Sequence, residues 1–387
     1  MANKRYRVGV IGFAHMHVNS LIDRFAALPS VEWVACADTV PATPTLSDQM
    51  DTRVANLRRA LEHTGIPKSY DDYREMLAKE ELDIVIFCPE NARHGEVAQA
   101  IAQAGAHMVT EKPMAASLGE ALAMVRAVER AGVRLAVNWP TTWSTAVRKA
   151  KELIDAGEIG EVWEVKWRNG NSLGPFSYGQ TMTDVEKGAE WWHQAEPGGG
   201  ALLDYCCYGA LLARWYLGES AEAAIALKAN LRSPYGNADD NAVIAVRFPR
   251  ALAILEGSWT TYHVGVPNGP VIYGTHGTLV VGYPNKSDVA VYKDRKTVSH
   301  LQLEASANLR TPSPTLEPTA VVSGDPFPPG RATIAEEFIH HLETGEPLHP
   351  TLDLPLNVEA MAILDAGIRS AANGRLEIVN DRVWHIG

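Results

Sequence analysis

The chain has 387 residues, 46% apolar and 21% charged, a globular composition that excludes disorder as its main state. Asp and Glu outnumber Lys and Arg by 46 to 35, for a net charge of −11. With no basic run, that balance argues against duplex nucleic acid and anionic membranes as partners, and leaves small molecules or further copies of the chain. A length near two multiples of about 150 residues predicts two domains.

Cys36, Cys88, Cys206 and Cys207 form no CxxC pair, which predicts a reduced, cytoplasmic protein. The apolar stretch near the start breaks at His15 and His17 without a cleavage site, so no signal peptide is expected. No run of about 18 apolar residues predicts a membrane span.

In chain order, residues 6–11 read as a buried strand ending at Gly12, and a helix follows over 21–27. A second strand over 31–37 stops at Asp38. Helices at 53–62 and 71–78 lead to a strand at 84–88; a helix at 94–104, a strand at 106–110, a helix at 118–131 and a strand at 134–138 complete the series. Continuous apolar strands alternating with helices predict an α/β unit over residues 1–138, a doubly wound parallel sheet covered on both faces. After a helix at 144–156 the pattern changes. Strands at 162–168, 223–231, 241–248, 251–259, 271–274, 278–281 and 289–292 predict a large, mostly antiparallel sheet in an α+β unit over 139–387. Alternation in the first of these places Trp163, Val165 and Trp167 on one face and Glu164, Lys166 and Arg168 on the other, one face for the unit's helices and one available to a partner sheet. A helix at 201–217 follows three glycines, and helices at 333–344 and 356–373 close the chain. The proline-rich residues 309–330 read as an extended lid, or an arm onto another subunit.

The first strand-to-helix turn, Gly12-Phe13-Ala14-His15-Met16-His17, keeps only the first glycine of the dinucleotide fingerprint. Asp38 lies 26 residues beyond Gly12 at a strand end, where a carboxylate binds ribose hydroxyls. No Lys or Arg occurs from Thr39 to Asp51 to meet a 2′-phosphate, which predicts NAD, with NADP less favoured. His15 and His17 lack an acidic or cysteine partner at ligand spacing, so no metal is expected.

Cys88-Pro89-Glu90-Asn91-Ala92-Arg93-His94, followed by Gly105 to Glu111-Lys112-Pro113 and by Gly198-Gly199-Gly200-Ala201-Leu202-Leu203-Asp204 with Tyr208, resembles the glucose–fructose oxidoreductase / inositol dehydrogenase family. The resemblance implies a Rossmann domain and a cofactor site at Gly12, Phe13, Ala14, His15, Asp38, Pro89, Asn91, His94, Glu111 and Lys112. It also implies a catalytic set of Lys112, Asp204 and Tyr208 and a homodimer or homotetramer. Lys112 leaves the carboxyl edge of the sheet, and Asp204 and Tyr208 share one helix face at i and i+4. A tyrosine of reference pKa about 10 must fall by roughly 3 units, about 4 kcal/mol, to serve as a base at neutral pH. The Lys112 ammonium is expected to supply much of that fall. Arg168, Asn169, Tyr178, Trp192 and His193 are the expected substrate contacts, in a chain whose ten tryptophans suit stacking on a sugar or cyclitol ring. The family's usual Arg after the sixth strand is absent; Asn138-Trp139-Pro140-Thr141-Thr142-Trp143 stands there.

The sequence therefore reads as an NAD-dependent dehydrogenase oxidising a ring hydroxyl of a sugar, glycoside or inositol. The alternative is an NAD-dependent glycoside hydrolase of the same fold, which oxidises, eliminates, hydrates and re-reduces. A non-catalytic sugar- and nucleotide-sensing regulator is a third reading, opposed by the complete Lys/Asp/Tyr set.

Overall fold

The computed structural model describes residues 4–170, 181–261, 269–293 and 317–379. Its first sheet joins β1 (Tyr6–Phe13), β2 (Val31–Ala37), β3 (Ser69–Tyr70), β4 (Ile84–Cys88), β5 (His107–Glu111) and β6 (Leu135–Asn138) in the order β3-β2-β1-β4-β5-β6. Every pairing is parallel, and the order reverses between β1 and β4, the switch point where such sheets bind ligands. All five residues of β4 are buried, because α1 (Val18–Ala26), α2 (Arg53–Glu62), α3 (Tyr73–Lys79), α4 (His94–Gln103) and α5 (Leu118–Ala131) pack over the two faces. The strand and helix series expected for this unit is present, with ends shifted by a few residues; only the two-residue β3 was not foreseen.

Past α6 (Thr145–Asp155) the chain builds a second sheet from β7 (Val162–Gly170), β8 (Ala223–Ala229), β9 (Asn241–Arg247), β10 (Leu252–Ser258), β11 (Val271–Gly274), β12 (Thr278–Val281), β13 (Asp288–Tyr292), β14 (Ala320–Ser323) and β15 (Glu377–Ile378). Its pairings are antiparallel except for the central β7–β10 pair. The short helix α7 (Asp184–Ala189) carries a capping box of Thr183 and Glu186. The segment after the triple glycine is not one uniform helix: a π-helical turn over Leu202–Cys206 precedes α8 (Cys207–Leu217). The long α10 (Leu354–Asn373) covers the inner face of the sheet beside α8, with Ser370 Oγ accepting from the Ala226 N–H at 2.9 Å.

Three expectations change. From residue 317 onward the proline-rich segment lies on its own subunit: β14 is the edge strand beside β13, and Phe327 packs on Trp143 and under the Arg148 guanidinium. That part is not a free lid, being paired into its own sheet; residues 309–316 lie outside the described residues. The closing helix α9 (Ile334–Thr344) returns to the first sheet, burying Ile334, Ala335, Phe338 and Ile339 in one cluster with Val18, Leu21, Ile22 and Phe25 of α1. Finally, Trp163 does not share a face with Val165 and Trp167. The pairing register of β11 on β7 shifts there, and Trp163 is 48% exposed against Tyr273, whereas Val165 and Trp167 are buried.

Candidate active site

Lys112 follows β5 directly and is 2% exposed. Its Nζ donates to Asp204 Oδ1 at 2.6 Å and to the Asp204 carbonyl at 2.9 Å, and lies 4.8 Å from the centre of the Tyr208 ring. Burial opposes the ammonium charge, but Asp204 and the polar groups of Tyr208 and Cys207 outweigh it and hold the Lys112 pKa well above the ordinary lysine value. The π-helical turn brings this about, since it carries both the Asp204 carboxylate and its carbonyl to one ammonium. Asp204 Oδ2 accepts in turn from Trp259 Nε1 at 3.2 Å. Tyr208 is stacked on Trp167 and meets Trp139 edge-on. Burial raises its pKa, and the nearby Lys112 lowers it only in part. The expected fall toward neutrality is therefore reversed in the free protein: a phenolate enclosed by two indoles loses more solvation than one ammonium over the ring returns.

The cofactor edge forms around the β1 turn. Gly12 has φ +80°, and a Cβ there would meet the Pro89 backbone at 2.6 Å, so glycine is required. Phe13 N–H and Thr39 N–H donate to Asp38 Oδ1 at 3.1 and 2.8 Å. Burial lifts the Asp38 pKa against the pull of these donors and of Arg53, whose Nη1 donates to the same oxygen at 2.6 Å. Ala14 O accepts from Trp191 Nε1 at 2.9 Å. Asn91 Nδ2 donates to Gly198 O at 2.9 Å, and His94 Nδ1 meets Met114 O at 3.1 Å. Burial lowers the His94 pKa to about 4, so its ring is neutral. Several buried atoms around these carboxyl strand ends have no hydrogen-bond partner: His15 Nε2, Glu90 Oε2, Asn91 Oδ1, His94 Nε2 and Trp192 Nε1. Unsatisfied donors and acceptors gathered at one edge are what a polar ligand needs, and together with the Gly12 turn they fit a dinucleotide.

The substrate contacts expected from sequence divide. Trp192 stacks on Trp191 and meets His15 edge-on, and His193 packs edge-on to Trp259, the indole that donates to Asp204. Both stand beside the Lys112 cluster. Arg168 does not. It alternates away from Trp167 onto the outer sheet face, where Nη1 lies 3.6 Å from Glu256 of β10. Asn169 alternates to the Trp167 side, and Tyr178 lies outside the described residues. His15 and His17 do gain an acidic neighbour, Glu111, which spacing along the chain conceals. The three form a hydrogen-bonded unit. His17 Nδ1 lies 3.0 Å from Glu111 Oε2, Asn138 Nδ2 donates to Glu111 Oε1 at 2.5 Å, and His15 Nδ1 accepts from His17 N–H at 3.1 Å.

A model of the oxidoreductase family with an NAD-binding Rossmann fold matches residues 6–139, and one of the GFO/IDH/MocA C-terminal domain matches residues 147–280. The chain belongs to this family. The oxidoreductase is 26% identical over 308 residues to levoglucosan dehydrogenase of Pseudarthrobacter phenanthrenivorans, covering 73% of this chain and 75% of that one. It is 27% identical over 250 residues to 1,5-anhydro-D-fructose reductase of Ensifer adhaerens, covering 64% and 71%. A solved levoglucosan dehydrogenase, in complex with NADH and levoglucosan, shares the fold with a TM-score of 0.69 at 21% identity, over 98% of this oxidoreductase and all of that chain. Sequence reasoning missed Arg53, Glu90 and His17 as members of the cofactor edge. Arg53 stood two residues past the span searched for a basic group, and only the fold brings it back to Asp38. Among the described residues no helix is long and apolar enough to cross a membrane.

Proposed function

We propose that this oxidoreductase removes a hydride and a proton from a ring hydroxyl of a sugar, glycoside or inositol. The observation that carries the reading is the Lys112 ammonium, held by Asp204 over the Tyr208 ring, at the sheet edge that also bears the Gly12 turn and Asp38. The relatives, by name a dehydrogenase and a reductase of sugar derivatives, support it. NAD, when bound, supplies the hydride acceptor. Tyr208, once it has given up its own proton to solvent, accepts the hydroxyl proton as the carbonyl forms, Lys112 faces the developing charge on the same oxygen, and Asp204 fixes Lys112. Gly12, Phe13, Ala14 and His15 cradle the pyrophosphate, Asp38 takes the ribose, and Pro89, Asn91, His94 and Glu111 complete the cofactor edge. Trp192, His193 and Asn169 form the sugar-side wall. Residues 1–138 are the cofactor unit, and 139–387 the substrate and assembly unit, from which α9 returns to brace α1. Four free, buried cysteines suit a reducing cytoplasm.

The test is NADH formation against a panel of sugars, glycosides and inositols, with release of free sugar followed in parallel. NADH with a keto product is expected. Free sugar without net NADH would replace this reading with the hydrolase.

A further inference from the structure

The ribose end of the cofactor edge holds an arrangement that NAD binding alone does not require. Arg53, 8% exposed, is bound on one side to Asp38 Oδ1 and on the other to Glu90 Oε1. Its Nη1 also donates to the Thr39 carbonyl at 3.1 Å. Glu90, 1% exposed, is fixed from a third direction by the Ala42 N–H at 2.9 Å, while its Oε2 accepts no hydrogen bond and lies 3.8 Å from Arg93 Nε. Glu190, from the second unit, is 7% exposed; burial raises its pKa to about 7, against the pull of Arg53. One buried cation thus stands between two carboxylates with a third carboxyl group nearby, at the place where an arginine would grip a 2′-phosphate. Both terminal nitrogens of the Arg53 guanidinium are bound to acids, Nη1 to Asp38 and Nη2 to Glu90, and are held away from an incoming phosphate. An incoming phosphate carrying about 1.5–2 negative charges would meet a net negative site.

We propose that Glu90, by holding the Arg53 guanidinium against Asp38, is the residue that closes this site to a 2′-phosphorylated dinucleotide. The proposal rests on the cofactor site proposed above. Asp38 Oδ1 is saturated by Phe13, Thr39 and Arg53, so Oδ2 faces one ribose hydroxyl, and the open Glu90 Oε2 is the second acceptor. Selection is therefore made by the acidic pair around Arg53, and loss of one acid turns the same arginine into a phosphate ligand.

The test measures dissociation constants of NAD and NADP by quenching of intrinsic tryptophan fluorescence in the full chain. The proteins are the wild type, Glu90→Gln, and Glu90→Gln combined with Arg53→Met. In Glu90→Gln the NADP-to-NAD ratio of dissociation constants should fall by about 10-fold or more, the worth of one charge-assisted hydrogen bond gained. The added Arg53→Met should restore the ratio. An unchanged ratio in Glu90→Gln, or a gain that survives loss of Arg53, overturns the proposal while NAD binding by the wild type upholds the cofactor site. A wild type that binds neither dinucleotide overturns the cofactor site itself. Should thermal melting show Glu90→Gln unfolded, Glu90→Asp decides, since it keeps the charge but draws the carboxylate back from Arg53. Its ratio should fall by about 2- to 3-fold as the guanidinium is released, and no fall overturns the proposal.

Discussion

At the scale of the residue, the free site holds a charged Lys112 and a neutral Tyr208, with Asp204 tying Lys112 to Trp259. Lys112→Met should keep NAD affinity, measured by fluorescence quenching, and lose at least about 10²-fold in turnover, because it removes the ammonium that stands over the Tyr208 ring. Turnover near the wild-type rate would remove Lys112 from the chemistry. Tyr208 makes a prediction in pH. Its hydroxyl must lose a proton for oxidation, and burial has raised the pKa, so the basic form fills only in the alkaline range. The oxidation rate should climb with pH past neutrality. Tyr208→Phe should abolish the climb together with most of kcat, and Tyr208→His should restore part of kcat with the rising limb moved toward about 6.5, the imidazole reference value. A Phe variant with raised KM but normal kcat would assign Tyr208 to packing and pass the proton to Asp204.

At the scale of the element, the turn into the π-helical segment decides where Asp204 sits. Gly200 has φ +110°, and a Cβ on it would lie 2.7 Å from Asp239 Oδ1. That carboxylate is already engaged: Oδ2 accepts from Leu202 N–H at 2.8 Å and Oδ1 from Lys228 Nζ at 2.9 Å. Gly200→Ala should therefore strain the backbone by about 1–3 kcal/mol. It should also displace the first residues of the segment, so that activity falls further than stability does. Denaturant unfolding beside kcat checks both; unchanged values of each would show the turn to be tolerant. The helix assigned to residues 201–217 was legible as a helix, but its π-helical start was not, because apolar periodicity cannot distinguish a widened turn from a regular one. For the same reason the pattern of β7 put Trp163 on one face with Val165 and Trp167: strict alternation holds only until a register shift, and that shift is made by the pairing with β11.

At the scale of the molecule, the outer face of the second sheet carries Ile225, Leu227 and Leu252, exposed by 46%, 72% and 50%. A sheet face this apolar is costly to leave in water, and a second copy covering it is the expected remedy. Light scattering should return a mass at least twice 42.1 kDa, and Leu227→Glu should reduce it. A monodisperse wild-type monomer would count against that assembly. Acid stability belongs to the same scale. His94 and His349 have pKa values lowered to about 4 by burial, from 6.5 unfolded. The unfolded chain therefore binds protons that the folded one refuses, and stability drops as pH falls below 6.5 until both rings titrate near 4. Each proton costs about 1.4 kcal/mol per pH unit in that window. Urea midpoints between those limits should fall steeply, and less steeply in His349→Gln; a flat profile would contradict the buried neutral rings.

Local pattern determined the order of strands and helices, the change from a parallel to a mostly antiparallel sheet, and the Gly12, Asp38, Lys112, Asp204 and Tyr208 positions. Each of these depends on residues close in sequence, on hydrophobic period, or on a motif whose spacing along the chain is itself the signal. Tertiary structure alone decided the rest. It brought Arg53 and Glu90 to Asp38, set Glu111 against His17, turned Arg168 to the outer face and returned α9 to α1. It also raised the Tyr208 pKa that the implied nearness of Lys112 gave reason to expect lowered, because desolvation is a property of everything packed around a group, and two tryptophans, one just past β6 and one in β7, enclose this one.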